Sequence, residues 1–111
     1  MRILVHDHCG HAFPVHLSRE LARRDHNVLH LHCTNFLTGK GALEPQGDDP
    51  ASLTLEGVDL GEDFEKYSFF KRMAQERRYG DLFVDRARRF EPQVVISGNT
   101  PLLSQRRILS W

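Results

Sequence analysis

Three groups of residues in this 111-residue chain have side chains suited to ligand binding. The first is the run His8-Cys9-Gly10-His11, which stands just before a predicted helix. Gly10 permits a tight turn there, and the free N–H groups of a helix N-terminus favour an anion such as phosphate. A turn that only serves the fold is the alternative. His11 is placed to hydrogen-bond a substrate hydroxyl or phosphate, although a capping or packing role explains it equally well.

The second group is Asn99 and Thr100, which follow the apolar segment 94–97. Their short polar side chains can donate hydrogen bonds to hydroxyl-rich ligands and accept from them. Alternatively, the two residues form a turn and Thr100 caps the helix that Pro101 opens. The sequence thus predicts four substrate-binding residues and assigns no catalytic residue. The four are Gly10, His11, Asn99 and Thr100.

Histidine is concentrated near the amino end, at His6, His8, His11 and His16, and Cys9 lies among them. Zinc accepts such ligands in tetrahedral sites. However, the first two histidines bracket a strand end, His16 belongs to a helix, and no second Cys/His pair follows at zinc-finger spacing. We therefore predict no bound metal and no cofactor.

The third group is the segment 66–90, in which basic residues alternate with aromatic ones. Such a segment can lie on an anionic membrane surface. A helix with one face in the core and a charged outer face has the same composition, and the two roles are compatible. Residues 66–111 carry ten basic and four acidic side chains, whereas residues 41–65 carry eight acidic and no basic ones. The formal net charge is zero, which predicts no nucleic-acid partner.

Strands and helices alternate along the chain and position these residues. Hydrophobic patterning predicts strands at 2–7, 28–33, 53–58 and 94–97 and helices at 14–24, 67–90 and from 101 onward. We expect Arg19 on the outer face of the first helix and an interruption of the second helix at Gly80. The strand at 53–58 is expected near an edge, the apolar strand at 94–97 in the interior, and residues 34–52 in a long loop.

This alternation predicts an α/β fold with a Rossmann-like parallel sheet flanked by helices. The carboxyl ends of parallel strands meet at one edge of the sheet, so we expect Gly10 and Asn99 to meet there. There are two cysteines, Cys9 and Cys33, and neither a signal peptide nor an apolar run of ~20 residues. These features predict a cytoplasmic, reduced protein in which both cysteines act as small hydrophobic residues.

The amino-terminal part of the chain resembles the N-terminus of glycosyltransferase family 4. The resemblance rests on Arg2-Ile3-Leu4-Val5-His6-Asp7, on Gly10-His11-Ala12-Phe13-Pro14 and on the helix that ends in Arg23-Arg24-Asp25-His26-Asn27-Val28. Residues 92–101 are similar to the fourth strand and following loop of the colanic-acid-type (WcaI-like) group in that family. The match is one glycine short of the usual loop, and Asp25 stands where a glycine commonly ends the first helix.

The resemblance implies a GT-B fold, in which two Rossmann-like domains face a cleft. It implies that this chain is the incomplete, acceptor-side N-terminal half, with the donor-binding domain absent. The parent enzyme would be a metal-independent, retaining glycosyltransferase that uses a nucleotide-sugar donor and a glycan or lipid-linked acceptor. Gly10 and His11 would face donor phosphates and acceptor.

On this basis we expect the chain alone to be inactive. Its location would be cytoplasmic and peripheral to the inner membrane through residues 66–90. The alternative is a non-enzymatic Rossmann-like module that binds a nucleotide or a metal.

Overall fold

The computed structural model describes residues 1–35 and 40–111, so positions 36–39 of the predicted loop lie outside the described residues. Strands and helices alternate in the predicted order, and every boundary falls within two residues of the predicted one. The elements are β1 (Arg2–Asp7), α1 (Ala12–Arg23), β2 (Asn27–Cys33), β3 (Leu53–Val58), α2 (Phe69–Phe90), β4 (Val94–Gly98) and α3 (Leu102–Leu109).

The four strands form one all-parallel sheet in the order β3-β2-β1-β4. The predicted Rossmann-like α/β class is confirmed. The chain moves outward from β1 through β2 to β3, and α2 then carries it back to the other side of β1. The direction of travel therefore reverses between β1 and β4. In open α/β sheets, this switch point is where a crevice forms at the carboxyl ends of the strands.

The core has two layers because side chains of β1 alternate between the faces of the sheet. Ile3 and Val5 pack with Ala22 and Val28 on the α1 face. Leu4 points to the opposite face, where the larger apolar cluster includes residues from β2, α2 and α3. Among its members are Leu29, Leu31, Tyr79, Phe83 and Ile108.

Arg19 lies in the interior, with 3% of its surface exposed, so the prediction that it faces solvent is wrong. Its guanidinium donates to both carboxylate oxygens of Asp49, at 2.7 and 3.2 Å. It also donates to the carbonyl oxygens of Ala42 and Glu44. Helix periodicity did not reveal this role because the partners come from the long loop. Arg19 thus fixes residues 42–49 against α1.

Helix α2 continues without a break through Gly80, contrary to the predicted interruption. A Cβ atom at this position would lie 2.8 Å from the Cβ of Arg107 and 3.3 Å from the Cα of Ser104. The hydroxyl of Ser104 donates to the carbonyl oxygen of Glu76 across the same contact, at 2.6 Å. Close packing against α3 therefore compensates for the ~1 kcal/mol that glycine costs inside a helix.

The outermost strands are β3 and β4. The edge position predicted for β3 is confirmed, whereas the interior position predicted for β4 is wrong. Val94, Val95 and Ile96 are 37–41% exposed. An apolar sequence indicates burial on both faces, but it cannot show that one hydrogen-bonding side of the strand has no neighbour.

Candidate functional site

The loops after β1 and β4 meet at the carboxyl edge of the sheet, here called the rim. Asp7 at the end of β1 pairs with Gly98 at the end of β4. The Sγ atom of Cys9 lies 3.7 Å from the carbonyl oxygen of Asn99, to which it donates a hydrogen bond. The expectation that the regions of Gly10 and Asn99 share one edge is confirmed.

Asp7 joins the two loops, and the sequence analysis did not identify it. Its carboxylate is fully buried. Oδ2 accepts from the backbone N–H of His11 at 2.6 Å, and Oδ1 accepts from the side-chain amide of Asn99 at 2.7 Å. An acidic residue at the end of an otherwise apolar strand, just before a helix, was the available signal.

The position of Asp7 changes what the N-terminus of α1 can bind. A carboxylate already accepts from the first free N–H group and interacts with the positive end of the helix dipole. A phosphate group would have to approach this buried negative charge. Neutral hydroxyl groups carry no such penalty, so the rim is better suited to a hydroxyl-rich ligand than to a phosphate.

Gly10 lies beneath the long loop and is buried. Its φ of +75° is a conformation that favours glycine, and an added Cβ would lie 2.9 Å from Cδ1 of Leu43. Its N–H donates to the carbonyl oxygen of Asp7, and its own carbonyl oxygen accepts from Gly41 at 2.8 Å. Lys40 donates to the carbonyl oxygens of Cys9 and Cys33 and brings a positive charge beside this turn. Gly10 therefore has a structural role, because it allows the tight backbone turn beneath the rim.

His11 occupies the N-cap position of α1, and its side chain makes no capping hydrogen bond. At this end of α1 the hydrogen bond is instead made by the Asp7 carboxylate, which accepts from the backbone N–H of His11. The imidazole is half-buried at the rim. Within the described ranges its ring nitrogens have no hydrogen-bond partner, so they are available to a ligand.

Asn99 is exposed, with a φ of +50°, and its amide group donates to Asp7. Its side-chain oxygen has no partner among residues 1–35 and 40–111, which leaves an acceptor at the rim. Thr100 donates its hydroxyl hydrogen to the carbonyl oxygen of Gly98 at 2.8 Å. The N-cap of α3 is Pro101, so the predicted capping by Thr100 is wrong.

Below the rim, His6 lies at the centre of a polar network. Its Nδ1 is 2.8 Å from the hydroxyl of Ser97, and its Nε2 is 2.9 Å from the hydroxyl of Tyr79. The Ser97 hydroxyl also lies 3.0 Å from Oε1 of Gln105. Burial and the neighbouring His8 lower the pKa of His6 to about 3. An imidazole with so low a pKa is a weak base, so this Ser–His contact is not a candidate for activating a nucleophile.

His30 and His32 share one face of β2, as the alternation of strand residues predicts, with ring centroids 6.2 Å apart. Nδ1 of His30 is 2.8 Å from the hydroxyl of Ser18 on α1. Burial lowers the pKa of His30 and of His8 to about 4. In the described part of the chain, no three His, Cys, Asp or Glu side chains are grouped so as to hold a metal ion.

Cys33 is buried and Cys9 is partly exposed. Burial raises the pKa of the Cys9 thiol, with Asp7 adding to the shift. The thiol form therefore predominates near neutral pH, and a thiolate nucleophile is not indicated at the rim.

We compared the chain with protein-family models, curated proteins and solved structures. None of them matches it. The likeness to glycosyltransferase family 4 therefore rests on the residues quoted above, and the activity it implies is a proposal.

A second surface lies at the same end of the molecule as the rim. Helix α2 runs from the carboxyl end of β3 back to the amino end of β4, so its first turn lies at the rim. Four apolar residues near the first turns of α2 and α3 are 71–94% exposed, and we call them the aromatic patch. They are Tyr67, Phe69, Phe70 and Leu102. In the described ranges, no helix is both long enough and apolar enough to cross a bilayer.

Proposed function

We propose that this chain is the acceptor-binding, Rossmann-like domain of a retaining glycosyltransferase. The reaction transfers a sugar from a nucleotide-sugar donor to a glycan or lipid-linked acceptor in envelope polysaccharide synthesis, on the cytoplasmic side of the inner membrane. A separate donor-binding domain supplies the groups that hold the nucleotide and stabilise its leaving pyrophosphate.

The observation that carries this proposal is the rim at the switch point between β1 and β4. Ligands of open α/β sheets bind in this crevice. On the two loops that meet there, the side-chain oxygen of Asn99 and the ring nitrogens of His11 have no hydrogen-bond partners among the described residues. Together they offer an acceptor and a donor to sugar hydroxyl groups.

The buried carboxylate of Asp7 supports the acceptor side rather than the donor side. Donor phosphates carry negative charge, and at the start of α1 the backbone N–H of His11 already donates to the Asp7 carboxylate. A sugar acceptor needs hydroxyl contacts and no anion site. We therefore assign the donor phosphates to the second domain and the acceptor to this one.

The aromatic patch supports a lipid-linked acceptor. Its exposed rings stand beside Lys66 and Lys71 at the rim end of the molecule. Aromatic side chains at the depth of the headgroups, combined with basic residues, bind anionic bilayers. This arrangement would bring the rim close to a sugar that projects from the membrane.

Binding of sugars at the rim can be tested by NMR titration of the ¹⁵N-labelled chain. Methyl glycosides of glucose, galactose and fucose serve as acceptor probes, and UDP serves as the donor probe. We expect the glycosides to shift the backbone signals of His11, Asn99 and Thr100, and UDP to leave them unchanged.

Asn99→Ala removes the proposed acceptor and should weaken glycoside binding about tenfold, the value of one hydrogen bond of ~1.4 kcal/mol. Asn27→Ala is the matched control, because Asn27 lies at the amino edge of the sheet. UDP shifts centred on Gly10 and His11, without glycoside shifts, would favour a nucleotide-binding module instead.

Two further measurements test the rest of the proposal. The 111-residue chain alone should transfer no sugar from a nucleotide-sugar to any acceptor, since the proposal assigns the donor to a separate domain. It should float with vesicles rich in phosphatidylglycerol but not with phosphatidylcholine vesicles. Phe70→Ser should reduce flotation, whereas Leu109→Ser, which changes an exposed apolar side chain at the far end of α3, should not. Flotation that is independent of anionic lipid would contradict the membrane part alone.

A further inference from the structure

Helices α2 and α3 pack side by side on one face of the sheet, and a groove runs between them on their outer side. We call it the α2–α3 groove. The two helices are closest at Gly80, where an added Cβ would lie 2.8 Å from the Cβ of Arg107. Because the groove faces away from the sheet, a further strand beside β4 would extend the sheet beneath the helices and leave the groove open.

The lower part of the α2–α3 groove, farther from the rim, is lined by four charged residues. They are Arg77, Asp81, Arg106 and Arg107. The Nε atom of Arg107 donates to the Asp81 carboxylate at 2.7 Å, so these two charges compensate each other. Arg77 and Arg106 are exposed, and neither side chain forms an ion pair or hydrogen bond with any described residue. The lower groove therefore has a surplus of two positive charges.

The upper part of the α2–α3 groove reaches the rim end of the molecule and is mainly apolar. Its lining includes Phe69 and Met73, and Leu103 belongs to both parts of the groove. The charged residues beside them, Arg72 and Glu76, form an ion pair at 3.1 Å. Since Phe69 is a member of the aromatic patch, the groove continues from the unpaired arginines into that patch.

We propose that the α2–α3 groove binds one anionic phospholipid. The phosphate group lies between Arg77 and Arg106, whose guanidinium groups donate paired N–H bonds to phosphate oxygens. An acyl chain extends along the upper part towards the aromatic patch. This inference rests on the membrane contact in the proposed function, and it adds a defined headgroup site to that contact.

The spacing along α2 fits a lipid at the surface of a bilayer. Arg77 follows Phe69 by eight residues, which is ~12 Å along the helix. Apolar side chains of interfacial segments lie about 5–10 Å into the boundary between headgroups and acyl chains. When the aromatic rings are at that depth, Arg77 lies farther from the bilayer centre, at the level of the phosphates.

The two-part lining favours a phospholipid over a free anion. A free anion would use the arginines alone and would leave the upper part in water. Phe69 and Leu102 at that end are 71% and 84% exposed. A phospholipid carries an anionic group and an apolar chain in the order in which the groove presents its arginines and its apolar side chains.

The site can be tested with soluble probes by NMR titration of the ¹⁵N-labelled chain. The probes are dihexanoylphosphatidylglycerol below its micellar concentration, its headgroup glycerophosphoglycerol, and inorganic phosphate. We expect the lipid to shift the backbone signals of Met73, Asp81 and Arg106. Glycerophosphoglycerol should shift only those of Asp81 and Arg106. The lipid should bind about tenfold more tightly than inorganic phosphate, because its chains add apolar contact.

Arg77→Gln removes one of the two unpaired charges and should weaken lipid binding about tenfold. Arg78→Gln is the matched control, because Arg78 is the next residue of α2, is equally exposed, and does not line the groove. It should leave lipid binding unchanged. Both variants should have the same order of effect on flotation with phosphatidylglycerol vesicles. Circular dichroism checks that both remain folded.

Three results would overturn the proposal. They are equal weakening by Arg77→Gln and Arg78→Gln, which would indicate diffuse surface charge; binding of inorganic phosphate as tight as that of the lipid, which would indicate a simple anion site; and no change in the signals of the groove on addition of lipid. None of these results depends on glycoside binding at the rim. Lipid binding in the groove without flotation would support the site and contradict only the membrane part of the proposed function.

Discussion

The two outer strands of this sheet, β3 and β4, are protected in different ways. On β3, Glu56 accepts a hydrogen bond from Arg86 at 2.6 Å, and the strand begins directly after the loop that Arg19 fixes. On β4, three successive apolar residues are exposed and no charge is present. Charged side chains on an edge strand oppose pairing with other sheets. The comparison shows that β3 is built to end the sheet, whereas β4 is suited to extend it.

The largest expected effect comes from Arg19→Ala, which tests the β3 side. The change leaves Asp49 without its buried partner, so we expect a loss of about 3–5 kcal/mol in the free energy of unfolding. Arg23→Ala, which removes a solvent-exposed arginine near Asp48, should cost less than about 1 kcal/mol.

Urea titration measures both changes. Hydrogen exchange should locate the damage, with faster exchange at β3 and little change at β4. Equally faster hydrogen exchange at β3 and β4 would contradict the idea that Arg19 stabilises the β3 side only.

Acid should lower the free energy of unfolding through buried histidines in the two inner strands, β1 and β2. His30 in β2 and His6 in β1 stay neutral in the folded chain because burial lowers their pKa to about 4 and about 3. The unfolded chain takes up protons below about pH 6.5, where the folded chain does not. The stabilisation is therefore complete above that pH and falls by about 1.4 kcal/mol per pH unit for each histidine.

His30→Asn isolates one of these contributions. Between about pH 7 and pH 5 the variant should lose about 2 kcal/mol less stability than the natural chain. Urea titrations at several pH values provide the measurement, and an unchanged slope in His30→Asn would show that this histidine takes up its proton in the folded chain as it does in the unfolded chain.

Glycine should stabilise both of the turns that lead into β2 and β4. Asp25 and Glu91 have φ angles of 66° and 53°, which non-glycine residues adopt at a cost. Replacing either with glycine should stabilise the chain by about 1 kcal/mol, seen as a rise in Tm. Gly61→Ala should have the opposite effect, because Gly61 has a φ of 86° and an open surrounding space. A fall in Tm for both glycine variants would mean that their side chains matter more than their backbone strain.

The smallest change in stability is expected for Glu56→Val, which gives β3 an uncharged edge like that of β4. Loss of a half-exposed ion pair should cost less than about 1 kcal/mol. With an uncharged edge on both sides of the sheet, the variant should self-associate more than the natural chain. Glu56→Gln keeps a polar edge and is the control. Light scattering distinguishes the two, and equal masses for both variants would mean that charge does not protect β3.

The sequence supported the order of the elements well, because apolar runs and helical periodicity are local signals. The family resemblance also singled out Asp25, which stands where a glycine is common and has a φ of 66°. The sequence indicated the edge position of β3 but not that of β4, since Val94-Val95-Ile96 has the composition of an interior strand. The burial of Arg19 depends on a loop more than 20 residues away. The tolerance of a glycine at position 80 inside α2 depends on close packing against α3. These contacts between distant segments leave no periodic pattern.

The candidate site, too, could be predicted only in part from the sequence. The meeting of Gly10 and Asn99 at the rim could be predicted from topology alone, because parallel strands end at one edge. The bridging role of Asp7 could not, since its hydrogen-bond partner Asn99 lies 92 positions away in the chain. That carboxylate decides which ligand class suits the rim.

The pairing of β1 with β4 has a consequence for synthesis of the chain. Contacts such as His6 with Ser97 join residues 91 positions apart. At about 5–20 residues per second, a ribosome needs several seconds or more to make the intervening chain. During that time β1, α1 and β2 have emerged, but one side of the central strand lacks its partner. One hydrogen-bonding side of β1 in the nascent chain therefore stays unpaired until β4 has been made.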